Sequence, residues 1–236
     1  MFQFKEKGRR VKNMNEVENQ PLTWFWYPYI PFGKVTLVHG RECCGKSIFA
    51  SRLMAACTNK KSMEDMKEIA PGNVLYFSGD DDLSELIKPR LMEAGADLSR
   101  VYTINDMLPI TLGDDSIGQI IESFGIRMVI VDPIQEYLEY DIYQDTPDMV
   151  YPIIYKLAQL AKESGCAMIL MAYSDGLGGE RGNVWKNEFA EKISSVLCLE
   201  RQGAESKEIC LRHEKCILAP EGKVRMFRLD DLDMGF

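Results

Sequence analysis

The sequence lacks the features that mark membrane, secreted and zinc-finger proteins. Its longest apolar runs, such as Ala167 to Ala172, have the length of a strand and are too short to span a bilayer. The N-terminus has no apolar core of the signal-peptide kind. None of the seven cysteines belongs to a C-x-x-C pair, and their number is odd. We therefore expect reduced thiols in a cytoplasmic protein without membrane contact, and neither a disulfide framework nor a zinc site.

Positive charge is also scarce, with 28 Lys and Arg against 36 Asp and Glu and a net charge of −8. This balance excludes a surface that is basic throughout, although one local patch could still bind nucleic acid. The length of 236 residues and the 46% hydrophobic content are typical of one compact α/β domain. We predict a polar basic arm over residues 1–20, which is either a solvated tail or a contact with nucleic acid or a neighbouring subunit, and a single domain over 21–236.

The most informative stretch runs from Gly40 to Ser47 and reads G-R-E-C-C-G-K-S, which fits the phosphate-binding pattern G-x-x-x-x-G-K-[ST]. In such a loop, backbone N–H groups point at phosphate oxygens, Lys46 reaches the outer phosphates, and the Ser47 hydroxyl is placed for Mg²⁺. The helix that follows directs the positive end of its dipole at the same anion. We predict ATP and Mg²⁺ as ligands, with the binding residues Gly40, Arg41, Glu42, Cys43, Cys44, Gly45, Lys46, Ser47 and Ile48.

Two cysteines make this loop unusual, because Cys43 and Cys44 occupy positions where most such loops carry small, pliable residues. One interpretation is that both thiols point away and the loop works normally. The other is a weakened or redox-sensitive site, since thiols beside Lys46 and a helix N-terminus could have lowered pKa values.

Strand-like and helix-like segments alternate along most of the chain. Strands are predicted at 34–39, 73–78, 101–105, 127–132 and 167–171, and helices at 48–56, 83–94, 114–124 and 146–165. Pro89 marks a kink or a restart within the second of these helices. Three further strands, at 194–200, 208–215 and 224–229, follow without helices between them. The predicted fold class is therefore an α/β P-loop NTPase with a mostly parallel sheet flanked by helices and an antiparallel C-terminal strand extension.

Two segments fall outside this alternation. The aromatic segment Trp24 to Pro31 is expected to pack beneath the sheet as an edge piece, the alternative being that it stacks on a nucleotide base. The glycine-rich segment from Gly176 to Gly182 is expected to be mobile.

Acidic residues at strand ends are the candidates for chemistry. Asp132 ends the fourth predicted strand and suits the Walker B acid that organises the metal, unless it only starts a turn before Pro133. Asp80 follows the second strand at the sheet edge where ligands bind in such folds, so it is the candidate for orienting the attacking water. Asp81 and Asp82 compete for that role, and the three acids could also simply be solvated. We predict Asp80, Lys46 and Asp132 as catalytic residues and Ser47 and Asp132 as metal ligands.

Several motifs together resemble one family. They are Tyr29 to Lys34, the phosphate-binding loop, Val74 to Asp81, Lys88 to Leu91 with Ala94 to Asp97, and Val131 to Gln135 with Tyr137 and Leu138. They resemble a RecA-like AAA family of ATPases carried by phages, plasmids and integrated mobile elements and related to RepA-type hexameric helicases. The likeness extends from about Pro28 to Leu229.

This resemblance implies a RecA-like fold in which Lys46 and Ser47 bind the phosphates and Mg²⁺ and Asp132 is the Walker B acid. Asp80 stands where relatives usually have a catalytic glutamate, and aspartate is one methylene shorter. A second departure follows the fifth strand, where relatives carry a His-x-Asn-Lys-like run that senses the γ-phosphate. This chain has Ala172-Tyr173-Ser174-Asp175 there, which puts the coupling of hydrolysis to movement in doubt.

Ring-forming relatives also insert a basic residue from the next subunit, which stabilises charge on the γ-phosphate. The candidates that follow the fifth strand are Arg181, Lys186, Arg201 and Lys215, each of which could equally be ordinary surface charge. The two histidines, His39 and His213, show no ligand pattern in the sequence and are expected to be structural.

Two functions of different classes remain open from the sequence. The first is a homo-oligomeric ATPase, with a hexamer as the form suggested by the relatives, that acts on single- or double-stranded DNA as a helicase-like motor in replication or recombination of a mobile element. The second is a nucleotide-dependent switch or assembly factor with weak or no hydrolysis. A small-molecule P-loop kinase is the weaker third, because the sequence has no Arg-rich lid.

Overall fold

The computed structural model describes residues 5–6, 9–10, 13–59, 63, 65–79, 82–104, 112, 114–137, 147–174, 191–201, 203 and 205–228, with backbone alone at 5–6, 9–10 and 147–151. The predictions for Asp80, Asp81, Asp175, Arg181, Lys186 and the segment from Gly176 to Gly182 lie outside these residues. No helix in the described part of the chain is long and apolar enough to cross a membrane.

The described strands are β1 (Lys5–Glu6), β2 (Arg9–Arg10), β3 (Trp24–Trp26), β4 (Ile30–Pro31), β5 (Val35–Gly40), β6 (Asn73–Phe77), β7 (Val101–Tyr102), β8 (Ile126–Val131), β9 (Ala167–Tyr173), β10 (Ile193–Arg201), β11 (Glu208–Cys216) and β12 (Arg225–Arg228). The α-helices are α1 (Lys46–Asn59), α2 (Lys88–Glu93), α3 (Ser116–Ser123) and α4 (Pro147–Ser164). A π-helical turn at Leu83–Ile87 and 3₁₀ turns at Met14–Glu16, Leu98–Arg100 and Ile134–Tyr137 complete the set.

Eight strands form one sheet in the order β12-β11-β10-β5-β9-β8-β6-β7. The strands from β10 to β7 are all parallel, whereas β11 is antiparallel to β10 and β12 is antiparallel to β11. The parallel part carries apolar residues on both faces because helices cover it, which is the environment that buried parallel strands require. The predicted fold class, a mostly parallel sheet flanked by helices with an antiparallel C-terminal extension, is confirmed.

Two apolar layers hold the sheet between its helices. One face, with Val38 and Ile130, packs against Leu53 of α1 and the β3–β4 hairpin. On the other face, strand residues such as Leu37 and Val129 pack against α3 and α4. Almost all of α1 is buried, so tertiary burial and not amphipathic patterning stabilises this helix.

The aromatic segment packs into the protein, as expected, but it does not extend the edge of the main sheet. β3 and β4 pair only with each other in the described structure, as a small antiparallel sheet. Trp26 and Tyr29 have no exposed surface, and the Trp26 ring centroid lies 4.2 Å from that of Tyr29 and 6.5 Å from that of Phe227. These two rings are therefore core residues, so the interpretation that they stack on a nucleotide base is wrong.

His213 is structural, as predicted, and its hydrogen bonds fix its tautomer. The backbone N–H of Gly222 donates to Nδ1 at 2.8 Å, so the ring proton is on Nε2, which lies 3.0 Å from the Ser195 hydroxyl. Ser195 donates in turn to the carbonyl of Tyr29 at 2.6 Å. This buried chain ties the antiparallel extension to the aromatic hairpin, and every group in it is neutral.

The predicted element bounds differ from the structure in a few places. Pro89 marks a restart, as expected, because the π-helical turn ends at Ile87 and α2 begins at Lys88 with the proline in its first turn. β9 runs two residues further than predicted, to Tyr173. The 3₁₀ turn at Ile134–Tyr137 was not predicted. Both differences lie at the edge of the sheet that carries the candidate site.

Candidate functional site

The described residues of the predicted site lie at one edge of the sheet, where the parallel strands end. Gly40 at the end of β5 pairs with Tyr173 at the end of β9, and the last residue of β8 pairs with Phe77 at the end of β6. The loop from 41 to 45, Asp132 and Gly79 therefore all emerge at the same edge. The carboxyl ends of parallel strands are where α/β proteins of this type bind ligands.

The loop between β5 and α1 is tightly folded and needs glycine at two positions. A Cβ atom on Gly40 would lie 2.5 Å from both the Cys44 sulfur and the Leu199 carbonyl oxygen, which leaves no room for a side chain. Gly45 has φ of 98°, a conformation that favours glycine. The carbonyl of Gly45 then accepts from the N–H of Phe49 at 2.9 Å, so the helix starts directly from the loop.

Lys46 is folded back onto its own loop. Its side chain is buried, with 4% of its surface exposed, and its ammonium donates to the carbonyls of Gly40 at 3.0 Å and Arg41 at 2.8 Å. The same ammonium lies 4.1 Å from the centroid of the Tyr173 ring, a cation–π contact. A buried lysine held by carbonyls and an aromatic face can exchange these partners for an anion.

Asp132 is buried one residue beyond the end of β8, and the Tyr76 hydroxyl donates to its Oδ2 atom at 3.3 Å. β9 alone separates β8 from β5, so the strands that carry Asp132 and the loop lie about 10 Å apart. Ser47, half-buried, stands in the first turn of α1. Lys46 and Ser47 at the start of α1 and Asp132 after β8 therefore lie at the same edge of the sheet.

Of the three acids after β6, only Asp82 lies within the described residues, and it caps a helix. Its Oδ1 atom accepts from the N–H groups of Glu85 and Ser84, each at 2.7 Å. These hydrogen bonds, with that from Glu85 the strongest, hold the pKa of Asp82 below its usual value. Asp82 therefore has a structural use as an N-cap.

Two polar residues that the sequence interpretation missed lie at the site, in the turn at Ile134–Tyr137. The Glu136 carboxylate lies against the end of β6, where an atom placed as Cβ on Gly79 would be 1.7 Å from Oε2. Gly79 also donates its N–H to the Tyr137 hydroxyl at 2.8 Å. Glu136 thus lies next to Gly79, the residue that precedes Asp80 in the sequence. In the sequence, the only signal for Glu136 is its position four residues after Asp132. This spacing does not show that the turn brings Glu136 to the end of β6.

Gln135 is the second residue missed. Its Nε2 atom donates to the carbonyl of Tyr173 at 3.2 Å, while its Oε1 atom is buried and accepts no hydrogen bond from the described residues. A buried carboxamide oxygen without a donor is costly unless a ligand or water supplies one. This orphaned acceptor lies beside the strand end that contacts Lys46.

The two loop cysteines differ sharply, although they are adjacent. Cys43 is exposed and has φ of 57°, whereas Cys44 is buried. Burial raises the pKa of the Cys44 thiol above its ordinary value, and the opposing effect of the nearby Lys46 ammonium is smaller. The expectation of a lowered thiol pKa is therefore wrong for Cys44, because burial outweighs the effect of Lys46.

Two of the four candidate basic residues lie within the described part of the chain. Arg201, at the end of β10, reaches its own loop, where it donates from Nη1 to the carbonyl of Cys43 at 3.4 Å. Lys215 lies elsewhere, with its ammonium 3.4 Å from the carbonyl of Ile193, and burial lowers its pKa. Arg201 is thus beside the site of its own chain, and Lys215 is not.

The loop after a central parallel strand, the buried acid two strands away and the flanking helices define the class of α/β P-loop NTPases. A model of a protein family described as "AAA domain" matches residues 4–174, well over half of the chain. The chain therefore belongs to this family of nucleotide-binding ATPases. No curated protein matches the chain significantly.

Proposed function

We propose that this AAA-domain protein assembles into a homo-oligomer and uses ATP to act on DNA as a helicase-like motor in replication or recombination of a mobile element. The observation that carries the proposal is the shared edge of Lys46, Ser47 and Asp132 beside the loop. The motif resemblance to RepA-type helicases and the strand-rich C-terminal extension support the motor class. Arg201 lies at the rim of the loop and in this proposal gives the phosphates an additional basic contact.

The described residues fit ATP with Mg²⁺. The glycine at position 40 is required by close packing, and Lys46 is held by two carbonyls and a ring that an anion could replace. Ser47 and Asp132 offer the hydroxyl and carboxylate oxygens that Mg²⁺ prefers. When bound, Mg²⁺ would neutralise charge on the phosphates. In this proposal the loop amides and Lys46 bind phosphate oxygens, and Tyr76 orients Asp132.

Hydrolysis also requires a group that orients water, and this chain offers more than one. Asp80 is the candidate by its position after β6, and Glu136 is a second carboxylate adjacent to the same strand end. Glu136 has the extra methylene that Asp80 lacks. The orphaned Oε1 atom of Gln135 is an acceptor for a water molecule, the role that glutamine has in other P-loop enzymes.

A nucleotide-dependent switch with weak or no hydrolysis is the second candidate, and the contact between Lys46 and Tyr173 favours it. Tyr173 belongs to the segment Ala172 to Asp175, where relatives carry a His-x-Asn-Lys-like run that senses the γ-phosphate, and here its ring stacks on the lysine. Ala172, at the position of the histidine in that run, has no side-chain group that can donate a hydrogen bond. Nucleotide binding could then move Lys46 away from Tyr173 without efficient turnover.

ATP turnover with and without single-stranded DNA separates the two functions. DNA-stimulated turnover supports the motor, whereas tight ATP binding with negligible turnover supports the switch. Transfer of phosphate to a small metabolite would contradict both. The mass of the particle, measured with and without ATP and Mg²⁺, tests the oligomer, and a monomer under all conditions contradicts it.

Single and double variants assign the water-orienting acid. If Asp80 acts alone, Asp80→Asn lowers turnover by about 100-fold or more with little change in ATP affinity, and Glu136→Gln has no effect. If Glu136 shares the role, each variant is partly active and the double variant is inactive. Glu122→Gln, on the exposed face of α3, is the matched control. Unchanged turnover in the double variant would remove both residues from the mechanism.

A further inference from the structure

Three side chains from three adjacent strands, β5, β10 and β11, converge near the phosphate-binding loop. They are His39 on β5, Cys198 on β10 and Glu214 on β11, and one ligand atom from each lies within 4.8 Å of the other two. The Nε2 atom of His39 is 3.0 Å from a carboxylate oxygen of Glu214. Among the described residues, no other group of three His, Cys, Asp or Glu side chains meets this criterion.

The sheet fixes this convergence through its register. His39 and Cys198 are direct partners across the parallel pair β5–β10, so their side chains are on the same face. In the antiparallel pair β10–β11, Val196 pairs with Lys215 and Leu197 with His213. Glu214 is therefore the extra residue of a β-bulge. Bulges re-aim a side chain locally and are over-represented next to functional sites.

We propose that His39, Cys198 and Glu214 form a site for a divalent transition metal of the zinc type. The set of one imidazole, one thiolate and one carboxylate is a donor combination that suits Zn²⁺, with the fourth position left to water. Zinc bonds of about 2.0 to 2.3 Å place tetrahedral donor atoms about 3.3 to 3.8 Å apart. Side-chain movements that shift the donor atoms by about 1 Å would bring the three donors to that spacing.

Access and charge fit such a site. Cys198 is buried, while the side chains of His39 and Glu214 are 16% and 23% exposed, so solvent reaches one side of the cluster. Burial, together with the charges of Glu214 and Glu200, raises the pKa of the Cys198 thiol to about 12. The carboxylates of Glu214 and Glu200 beside the thiol favour a bound cation, and the thiol proton would leave to solvent on binding.

Among the described residues, the positive charge of Arg212 lies near the cluster and opposes a bound cation. Arg212 is the direct partner of Cys198 across β10–β11. Its guanidinium is ion-paired with Glu200 at 2.5 Å, which offsets its repulsion of a bound cation. The metal would then link β11 to the end of β5, one residue before Gly40, whose carbonyl holds Lys46.

Co²⁺ titration of the metal-free, full-length protein without nucleotide tests the site, because a cobalt–thiolate bond gives an intense near-ultraviolet absorption band. We expect one saturating equivalent, displaced by Zn²⁺. Cys198→Ser should abolish the band, and Glu214→Gln should keep it but weaken Co²⁺ binding at least about tenfold. Cys210→Ser, a half-exposed thiol on β11, and the Cys43→Ser, Cys44→Ser double variant should retain the wild-type titration.

Several outcomes would overturn the proposal. Wild-type protein without a saturable thiolate band would reduce the cluster to a histidine–glutamate ion pair beside a buried thiol. A band that persists in Cys198→Ser, or disappears in the double variant of the loop, would assign the metal to other cysteines. Circular dichroism establishes that each variant is folded, and Glu214→Gln, at a partly exposed position, still tests the site if Cys198→Ser does not fold.

Discussion

Two regions of the molecule bury polar groups but differ in the hydrogen-bond partners of these groups. One is the edge of the sheet that carries the phosphate-binding loop (the loop edge), and the other is the β3–β4 hairpin with the residues packed on it (the aromatic layer). In the aromatic layer, His213, Ser195 and the Tyr29 carbonyl form a closed chain of neutral hydrogen bonds. At the loop edge, a charged Lys46 is held by loop carbonyls and a ring, and Gln135 has an orphaned oxygen. A closed chain is typical of a structural core, whereas exchangeable or missing partners are typical of a binding site.

The largest effect is expected from the aromatic layer and concerns stability. Trp26→Ala removes a fully buried ring that contacts Tyr29 and Phe227, so the free energy of unfolding should fall by about 3 to 5 kcal/mol. Denaturant unfolding measures it. Trp24→Ala, in the same strand but only partly buried, is the control and should cost clearly less. Equal losses in the two variants would mean that the hairpin does not belong to the core.

At the loop edge, the expected effect is on binding and not on folding. Lys46→Ala should weaken ATP binding by about 3 kcal/mol, or roughly 100-fold, because charge-assisted hydrogen bonds to phosphate are lost. Calorimetry with a non-hydrolysable ATP analogue measures the affinity, and circular dichroism checks the fold. Lys156→Ala, which removes a surface ion pair with Asp115, should bind normally. Unaltered affinity in Lys46→Ala would contradict the proposed site.

Within the loop, the two cysteines should differ in reactivity. Alkylation of the native protein should modify Cys43 at least about tenfold faster than Cys44, because Cys43 is exposed while burial raises the pKa of Cys44. Mass spectrometry of the loop peptide follows the reaction, with Cys43→Ser and Cys44→Ser as matched controls. Bound ATP should slow the reaction at Cys43. Rapid modification of Cys44 without nucleotide would mean that the loop opens readily.

The smallest effect is the pH dependence that His213 gives to the aromatic layer. Burial lowers the pKa of His213 below its ordinary value of 6.5, against an opposing effect of Glu221. The unfolded chain then binds this proton more strongly, so stability is complete above pH about 6.5 and falls as the pH drops toward the folded pKa. The free energy of unfolding, measured for wild type and His213→Gln between pH 5 and 8, isolates the contribution of His213 to the pH dependence. A slope that is the same in both proteins would exclude His213 as its source.

The parallel strands and the loop were predictable because local signals in the chain determine them. A buried parallel strand such as Ile126–Val131 needs apolar side chains on both faces, and the loop needs Gly45 for its positive φ. The restart of the helix at Pro89 was likewise encoded by one residue. Each of these signals acts within a few positions of the structure that it specifies.

The parts that escaped prediction depend on contacts between distant residues. Glu136 reaches Gly79 only because β6 and β8 are neighbours in the sheet. His39, Cys198 and Glu214 are far apart in sequence, so a search for C-x-x-C spacing could not find them. The burial of Trp26, which excludes base stacking by this ring, also follows from packing against α1 and β12 and not from its own segment.

The sequence by itself determined that this protein is an α/β ATPase with a phosphate-binding loop, since hydrophobic periodicity and the demands of glycine, lysine and serine are local. Only the tertiary structure decided that Tyr173 covers Lys46, that Asp82 is a helix cap, and that adjacent cysteines have opposite exposure. The physical reason is that burial, strand register and the resulting electrostatic environment are properties of the assembled sheet, and a linear pattern does not contain them.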